Sequence, residues 1–465
     1  MNFDDIKKIK NNSSFIGTDM YKLIDELFPI CRSITGNGVR QTLEILKKII
    51  DIEIHEIPTK TKVFDWEVPK EWNISDAYIM NEKQEKIVDF KNSNLHVMSY
   101  STPINKKISL SELKNHIHTI PEKPELIPYV TSYYDENWGF CMSQNDFFKL
   151  TEENYHVVID STLKPGHLTY GELFIPGKST NEILLSCYIC HPSMCNDNLS
   201  GIVLLTYLAN SLKNLNSNYS YRFLFIPETI GSITWLFINE NNLSQIKHGL
   251  VATCIGDSGN FTYKKTRQNN AEIDNVVKKV LSSHSHNFKI VDFFPWGSDE
   301  RQFCSPGFNL PVGSLMRSMY GTDSFPEYHT SADNLSFMKN DSLRESFSIF
   351  IEIIYELEKN FSNKTKPKIN YPEKNFSEKA YLNLFPKCEP HLRKSGLYRK
   401  FGGQKNDLES RKIDYSILWI LNLSDGQNSL RDISEKSGID FSTIENVAKI
   451  LEEKAYLKRI DNINF

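Results

Sequence analysis

The chain has no stretch approaching eighteen uninterrupted apolar residues, so no membrane-crossing helix is expected. Its first fourteen residues, Met1 to Ser14, are polar and lysine-rich and lack the apolar segment that directs export. It also lacks a long basic run, and 54 Lys+Arg against 58 Asp+Glu leave a net charge of −4. Bulk attraction to nucleic acid or to an anionic membrane is therefore not expected. No second Cys-x-x-Cys pair accompanies Cys187-Tyr188-Ile189-Cys190, and the eight cysteines are scattered over 465 residues. That distribution argues against a thiolate zinc site and a disulfide framework, and suits a reducing cytoplasm. Internal repeats and low-complexity tracts are absent as well.

What is present is 40% apolar and 24% charged residues, the make-up of a soluble globular protein. At this length two or three domains are expected. Met20 to Phe28 and Val39 to Ile50 carry apolar residues at helical spacing. From about Asp51 to Ile127 the texture changes to short period-two runs, such as Ile52-Glu53-Ile54-His55-Glu56-Ile57, broken by Pro and Asn. Residues 51–127 therefore read as an inserted β-rich unit. Strands then alternate with helices: Tyr155 to Asp160, Glu182 to Ser186, Tyr221 to Ile226 and Gly249 to Ile255 against Ile202 to Leu212, Thr234 to Asn239, Ala271 to Leu281 and Ser342 to Leu357. This βαβ rhythm predicts an α/β domain over residues 1–50 and 128–362, with a parallel or mixed sheet covered on both faces. Lys364 to Lys374 reads as a linker. Residues 375–465 then show three short helices, Tyr415 to Leu423, Leu430 to Ser437 and Phe441 to Glu453, followed by the strand Ala455 to Ile460. That is the winged-helix pattern.

The chemistry concentrates at strand ends. Cys190-His191-Pro192-Ser193-Met194-Cys195-Asn196-Asp197 follows one strand and precedes an apolar helix. Further strand ends carry Glu228-Thr229-Ile230-Gly231-Ser232, Gly256-Asp257-Ser258-Gly259, Gly297-Ser298-Asp299-Glu300 and Glu327-Tyr328-His329-Thr330-Ser331-Ala332-Asp333. Imidazole and carboxylate are the ligands a hydrolytic zinc takes, and an open α/β sheet gathers its carboxyl strand ends on one edge. Singly, each residue has an ordinary explanation: Asp197 as a helix cap, Asp257 in an Asx-turn, Glu228 as a solvated loop carboxylate. The set is what points to a metal.

In order these motifs resemble the metal site of M28-type zinc aminopeptidases. More closely, the chain resembles the DUF4910 group with an inserted DUF2172 domain, aminopeptidase-like proteins of polysaccharide biosynthesis. That likeness rests on Pro29-Ile30-Cys31-Arg32-Ser33-Ile34-Thr35-Gly36, Trp138-Gly139-Phe140-Cys141, Cys190-His191-Pro192-Ser193 and Pro326-Glu327-Tyr328-His329-Thr330, and spans about Leu23 to Glu358. It implies an aminopeptidase-like (phosphorylase/hydrolase-type) mixed sheet flanked by helices. His191, Asp197, Asp257 and His329 become the expected metal ligands, with Asp197 in the place of a carboxylate that bridges two metals. Glu228 becomes the general base of amide hydrolysis by metal-activated water. Thr229 stands where dizinc members carry a second ligand glutamate, and only five residues separate His191 from Asp197. One zinc is expected, with the second position weak or empty.

Tyr328, Arg317 and Asp299 are candidate substrate-binding residues, Tyr328 as an oxyanion donor. Asp299 and Glu327 are alternatively supports of the ligands or plain surface charge. The expected function is aminopeptidase-like cleavage of a peptide or small-molecule amide. Removal of an N-acyl group from a surface-polysaccharide or modified-sugar precursor is the close alternative. The rival classes are a weakly catalytic metal-binding scaffold, with Thr229 as the sign of decay, and a winged-helix DNA regulator. Residues 411–460 hold 8 Lys+Arg and 8 Asp+Glu, and Phe441 to Glu453 carries Glu445, Glu452 and Glu453 against Lys449. Phosphate contacts need clustered positive charge on the reading helix, so no nucleic-acid partner is expected. A cytoplasmic location and a possible homo-oligomer complete these expectations.

Overall fold

The computed structural model describes residues 9, 15–284, 287–320, 325–361, 380–397 and 408–460. Its centre is an eight-stranded mixed sheet. In chain order the strands are β1 (Glu53–Pro58), β2 (His167–Ile175), β3 (Glu182–Tyr188), β4 (Ser220–Ile226), β5 (Ile246–Ala252), β6 (Phe261–Lys264), β7 (Phe288–Val291) and β8 (Val312–Met316). Across the sheet they run β1-β2-β4-β3-β5-β8-β6-β7. The central four, β4, β3, β5 and β8, are mutually parallel, and β1, β2 and β6 pair antiparallel at the flanks.

The sequence of β3, EILLSCY, is buried at every position, as a parallel strand covered on both faces requires. Successive side chains point to opposite faces. Ile183, Leu185 and Cys187 enter one core with the helices α1 (Ile16–Leu27), α2 (Asn37–Leu46), α3 (Ser200–Leu212), α5 (Glu272–His284) and α6 (Asn340–Asn360). Leu184 and Tyr188 enter the other with α4 (Ile230–Ile238), through Ile233, Trp235 and Leu236. Each fully buried Leu or Ile contributes about 1.5–3 kcal/mol of apolar burial.

Strand pairing redraws the expected domain limits. Residues 53–58 alternate as the sequence suggested, yet they form the edge of the large sheet by pairing with β2. Tyr155 to Asp160, read as a strand of the α/β domain, instead belongs to Asn154–Lys164, one of the two inner strands of a four-stranded antiparallel sheet with Glu71–Met80, Lys86–Asp89 and Ile104–Ser109. The insertion thus reaches beyond residue 127, because period-two alternation reports which face is buried and not which strand is the partner. Its core holds Ala77, Ile79, Val88, Ile108, Val157 and Ile159.

The C-terminal unit is a winged helix. Ala380–Asn383 lies between Asp425–Ser429 and Leu457–Ile460 in a three-stranded sheet, against helices Leu408–Leu423, Leu430–Ser437 and Phe441–Glu453. A capping box of Ser429 and Asp432 starts the second helix, and Gly438, at φ +68°, ends it. The first helix begins at Leu408, ahead of the expected Tyr415, because Glu409 to Asp414 offers little apolar periodicity. The unit is docked on the α/β domain: Trp296 stacks on Tyr415 with ring centroids 4.1 Å apart, and Arg267 pairs with Asp425 at 2.9 Å. The expected linker, Lys364 to Lys374, lies outside the described residues. Among the described residues no helix is long and apolar enough to cross a membrane.

Candidate active site

Because β3, β4, β5 and β8 are parallel, the loops that leave them share one edge of the sheet. The loop after β3 carries His191 and Asp197, that after β4 carries Glu228, that after β5 carries Asp257, and the segment after β8 carries His329. Three of these converge closely: the ligand atoms of His191, Asp197 and His329 lie within 4.8 Å of one another. His329 Nε2 is 3.0 Å from Asp197 Oδ2. Both atoms are buried and neither makes a hydrogen bond within the protein. Two buried polar atoms whose contact with each other falls short of hydrogen-bond geometry are costly unless a third group satisfies both. An imidazole–carboxylate–imidazole set around such a gap fits a zinc ion.

The electrostatics agree. Burial pushes the His191 imidazole down to about 4, so it is neutral and free to donate its lone pair. Burial alone would raise the Asp197 carboxyl, but the imidazoles of His191 and His329 outweigh it and hold the group at about 2. The Tyr188 hydroxyl donates to Asp197 Oδ1 and lies 2.7 Å from Thr253 Oγ1, which fixes the carboxylate's orientation.

Glu228 Oε2 stands 3.8 Å from His191 Nε2, and its side chain is 28% exposed, toward a cavity. Burial, then Asp299 and Asp197, push its carboxyl well above the usual carboxylate range. The loop that carries it is held by Asp299, which accepts the Thr229 N–H at 2.8 Å and the Ser232 hydroxyl at 2.7 Å. Thr229 sits at φ +65° and His329 at φ +55°. Non-glycine residues adopt that conformation only where their surroundings enforce it, at a cost of about 1–3 kcal/mol each.

Several expected roles change. Asp257 lies outside the close trio: its carboxylate accepts from Asn196 Nδ2 at 2.7 Å, the Ser318 hydroxyl at 2.6 Å and the Gly259 N–H at 2.5 Å. Arg317, expected to hold substrate, is turned to structural use. It donates to Gly259 O at 2.8 Å and to Ser346 Oγ at 3.2 Å, pairs with Glu345 and covers the Phe261 ring. Asp299 holds the Glu228 loop from behind and does not line the cavity. Tyr328 stacks on His329 with centroids 3.9 Å apart, and burial keeps its phenol protonated. Thr229 Oγ1 accepts from Arg301 Nη2 at 3.0 Å. Cys190, His191 and Glu228 also lie within ligand distance of one another, and burial and then Glu228 push the Cys190 thiol up.

Sequence reasoning passed over Asp333. This carboxyl, 0% exposed, accepts the N–H groups of Asn196 at 2.6 Å and Asp197 at 2.9 Å and so ties the His329 segment to the Asp197 turn. Its signal was its place at the end of the same Glu327-to-Asp333 motif. Tyr188, hidden inside an apolar strand, gave none.

An eight-stranded mixed sheet between helices, with imidazole and carboxylate groups at its parallel carboxyl edge, defines the aminopeptidase-like α/β class. A zinc aminopeptidase from Bacillus subtilis has this fold at a TM-score of 0.55 and 11% identity, over 76% of this chain and 96% of that one. The chain belongs to the DUF4910 family, described as a domain of unknown function, whose family model matches residues 21–360. Residues 379–459 match a winged helix-turn-helix family. A Clostridium acetobutylicum protein named provisionally as a polysaccharide biosynthesis protein with aminopeptidase-like domain is 54% identical over 457 residues, 98% of this chain and 100% of the relative. The crystal structure of a protein from the same organism, provisionally called a peptidase, matches with a TM-score of 0.75 and 53% identity, over 99% of this chain and 100% of that one.

Proposed function

We propose that the protein is a zinc-dependent hydrolase that cleaves an amide bond. The observation that carries this reading is the pair of buried, facing ligand atoms, Asp197 Oδ2 and His329 Nε2, beside the neutral imidazole of His191 and the cavity-facing Glu228. His191, Asp197 and His329 would hold one zinc, three protein ligands being what an open catalytic site uses. When bound there, zinc supplies a Lewis acid that polarises a carbonyl and brings the pKa of water to about 7. Thr229, engaged by Arg301, supports a single metal.

The chain's own groups do the rest. Glu228 takes the proton of the attacking water and passes it to the leaving amine, a role to which its raised proton affinity is suited. Asp299 keeps the Glu228 loop in place, and the protonated Tyr328 is a donor for the developing oxyanion. The polysaccharide setting in the relative's name favours an amide on a sugar-containing precursor over a free peptide. Changing Glu228 to Gln is expected to lower turnover by about 10²–10⁴-fold while one zinc per chain stays bound. Turnover at the wild-type rate in Glu228→Gln would refute the mechanism, and absence of zinc from the wild-type protein would refute the metal.

A further inference from the structure

The cavity in front of His191 and Glu228 has a volume of about 210 Å³, and three distant parts of the chain build it. The insertion and the segment after it supply an aromatic side that begins with Tyr129, 5.1 Å from both His191 and His329 by ring centroids, and continues to Tyr134 and Trp66. The adjoining wall is five consecutive residues, Glu389 to Arg393, between the first strand and the first helix of the winged-helix unit. This wall is clamped from both sides. The Glu389 N–H donates to Gln302 Oε1 at 3.0 Å and its carboxylate pairs with Arg301. Trp66 Nε1 donates to Glu389 O at 2.7 Å, and the His391 N–H donates to Asp65 Oδ2 at 2.8 Å.

Within that fixed wall, His391 is an anomaly. Its ring packs between Trp66, at 4.3 Å by centroids, and Tyr134, at 5.1 Å. Yet both ring nitrogens are buried and have no hydrogen-bond partner. Buried polar atoms are ordinarily satisfied, so a rigidly held imidazole with two idle nitrogens in a substrate cavity is built to receive a ligand's polar atoms. Burial pushes His391 down to about 4, so at neutral pH it offers one donor and one acceptor. A hydroxyl group, itself both donor and acceptor, matches that pair. The aromatic side matches the apolar face of a ring.

We infer that His391 is a specificity-determining residue that hydrogen-bonds a hydroxyl on a polyhydroxylated ring of the substrate, remote from the scissile amide. The inference rests on the hydrolase reading for the position of that amide. It assigns the substrate to N-acylated amino sugars and makes the C-terminal segment part of the binding site.

The test is calorimetric titration of the full-length, zinc-loaded Glu228→Gln protein with N-acetyl-D-glucosamine and with N-acetyl-L-leucinamide. His391→Phe keeps the ring and removes both nitrogens. It is expected to raise the Kd for the sugar about tenfold, the worth of one good hydrogen bond, and to change that for the leucinamide less than twofold. His391→Gln, which restores a donor and an acceptor, is expected to recover sugar binding to within about threefold. Equal losses for both probes, no loss for the sugar, or no sugar binding by the His391-containing protein would each overturn the inference. Zinc content and wild-type turnover are read separately, so failure of the subsite and failure of the hydrolase reading give different results. An unchanged melting temperature and zinc content in His391→Phe confirm that the wall has kept its shape.

Discussion

Replacing Lys264 with methionine removes half of an ion pair that has no access to water. Lys264 and Glu300 are each 0% exposed, with Nζ and Oε1 2.6 Å apart. At that distance the gross attraction is roughly 6 kcal/mol at an effective dielectric constant of about 20. Burying two charges costs several kcal/mol per ion, so the intact pair contributes little net stability. Removing one partner is different. Lys264→Met removes the ammonium, which also lies 3.8 Å from the Phe294 ring centroid, and strands the Glu300 carboxylate with the Tyr320 hydroxyl at 3.0 Å, a loss of about 3–5 kcal/mol. Glu300→Gln strands an ammonium whose remaining acceptor is Trp296 O at 2.6 Å, with a loss of similar size. In the double variant no charge is stranded, so a loss of about 1–2 kcal/mol and a coupling of at least about 4 kcal/mol are expected. Urea unfolding of the four proteins, followed by tryptophan fluorescence, measures the cycle. A coupling below about 1 kcal/mol would show that water or a neighbour relieves the stranded charge, and the argument from burial would fail. Glu300 lies between Asp299 and Arg301, the two residues that grip the Glu228 loop. Each single variant is therefore also expected to lower turnover.

Asp299→Ala removes the acceptor of the Thr229 N–H and the Ser232 hydroxyl; a fall in kcat of at least about tenfold with zinc retained is expected, and an unchanged kcat would show that the loop holds itself. The His118 imidazole is pushed down to about 4 by burial and by His116, so between about pH 6.5 and 4 the unfolded chain binds the proton that the folded chain refuses. Stability from this group is complete above pH 6.5 and is lost as the pH falls through that window. His118→Gln should flatten the decline in urea midpoint, and parallel pH profiles for the two proteins would count against the assignment.

How far the sequence disclosed the molecule depends on the range of the interaction that sets each feature. Helix Phe441–Glu453 matches its expected ends because Asp440 caps it locally. The His191, Asp197 and Glu228 loops could be placed at strand ends because the apolar runs before them are unambiguous. Partners fixed by distant packing were not legible. The pairing of Glu53–Pro58 with β2 and the service of Asp257 to Asn196 and Ser318 depend on contacts more than 50 residues apart. Arg317 was a candidate for holding substrate because nothing nearby in sequence announces Phe261, Glu345 or Ser346.

The cavity wall at Glu389 to Arg393 also has a meaning for the chain while it is being made. A ribosome adds about 5–20 residues per second, so the 255 positions from Tyr134 to Glu389 take roughly 13–50 s to appear. The α/β domain, whose last helix ends at Asn360, can gather its imidazoles and carboxylates only late in that interval, and even then the pocket in front of them still lacks a side. The cavity thus gains this wall only once residues 389–393 have been made and packed against Trp66, Gln302 and Arg301.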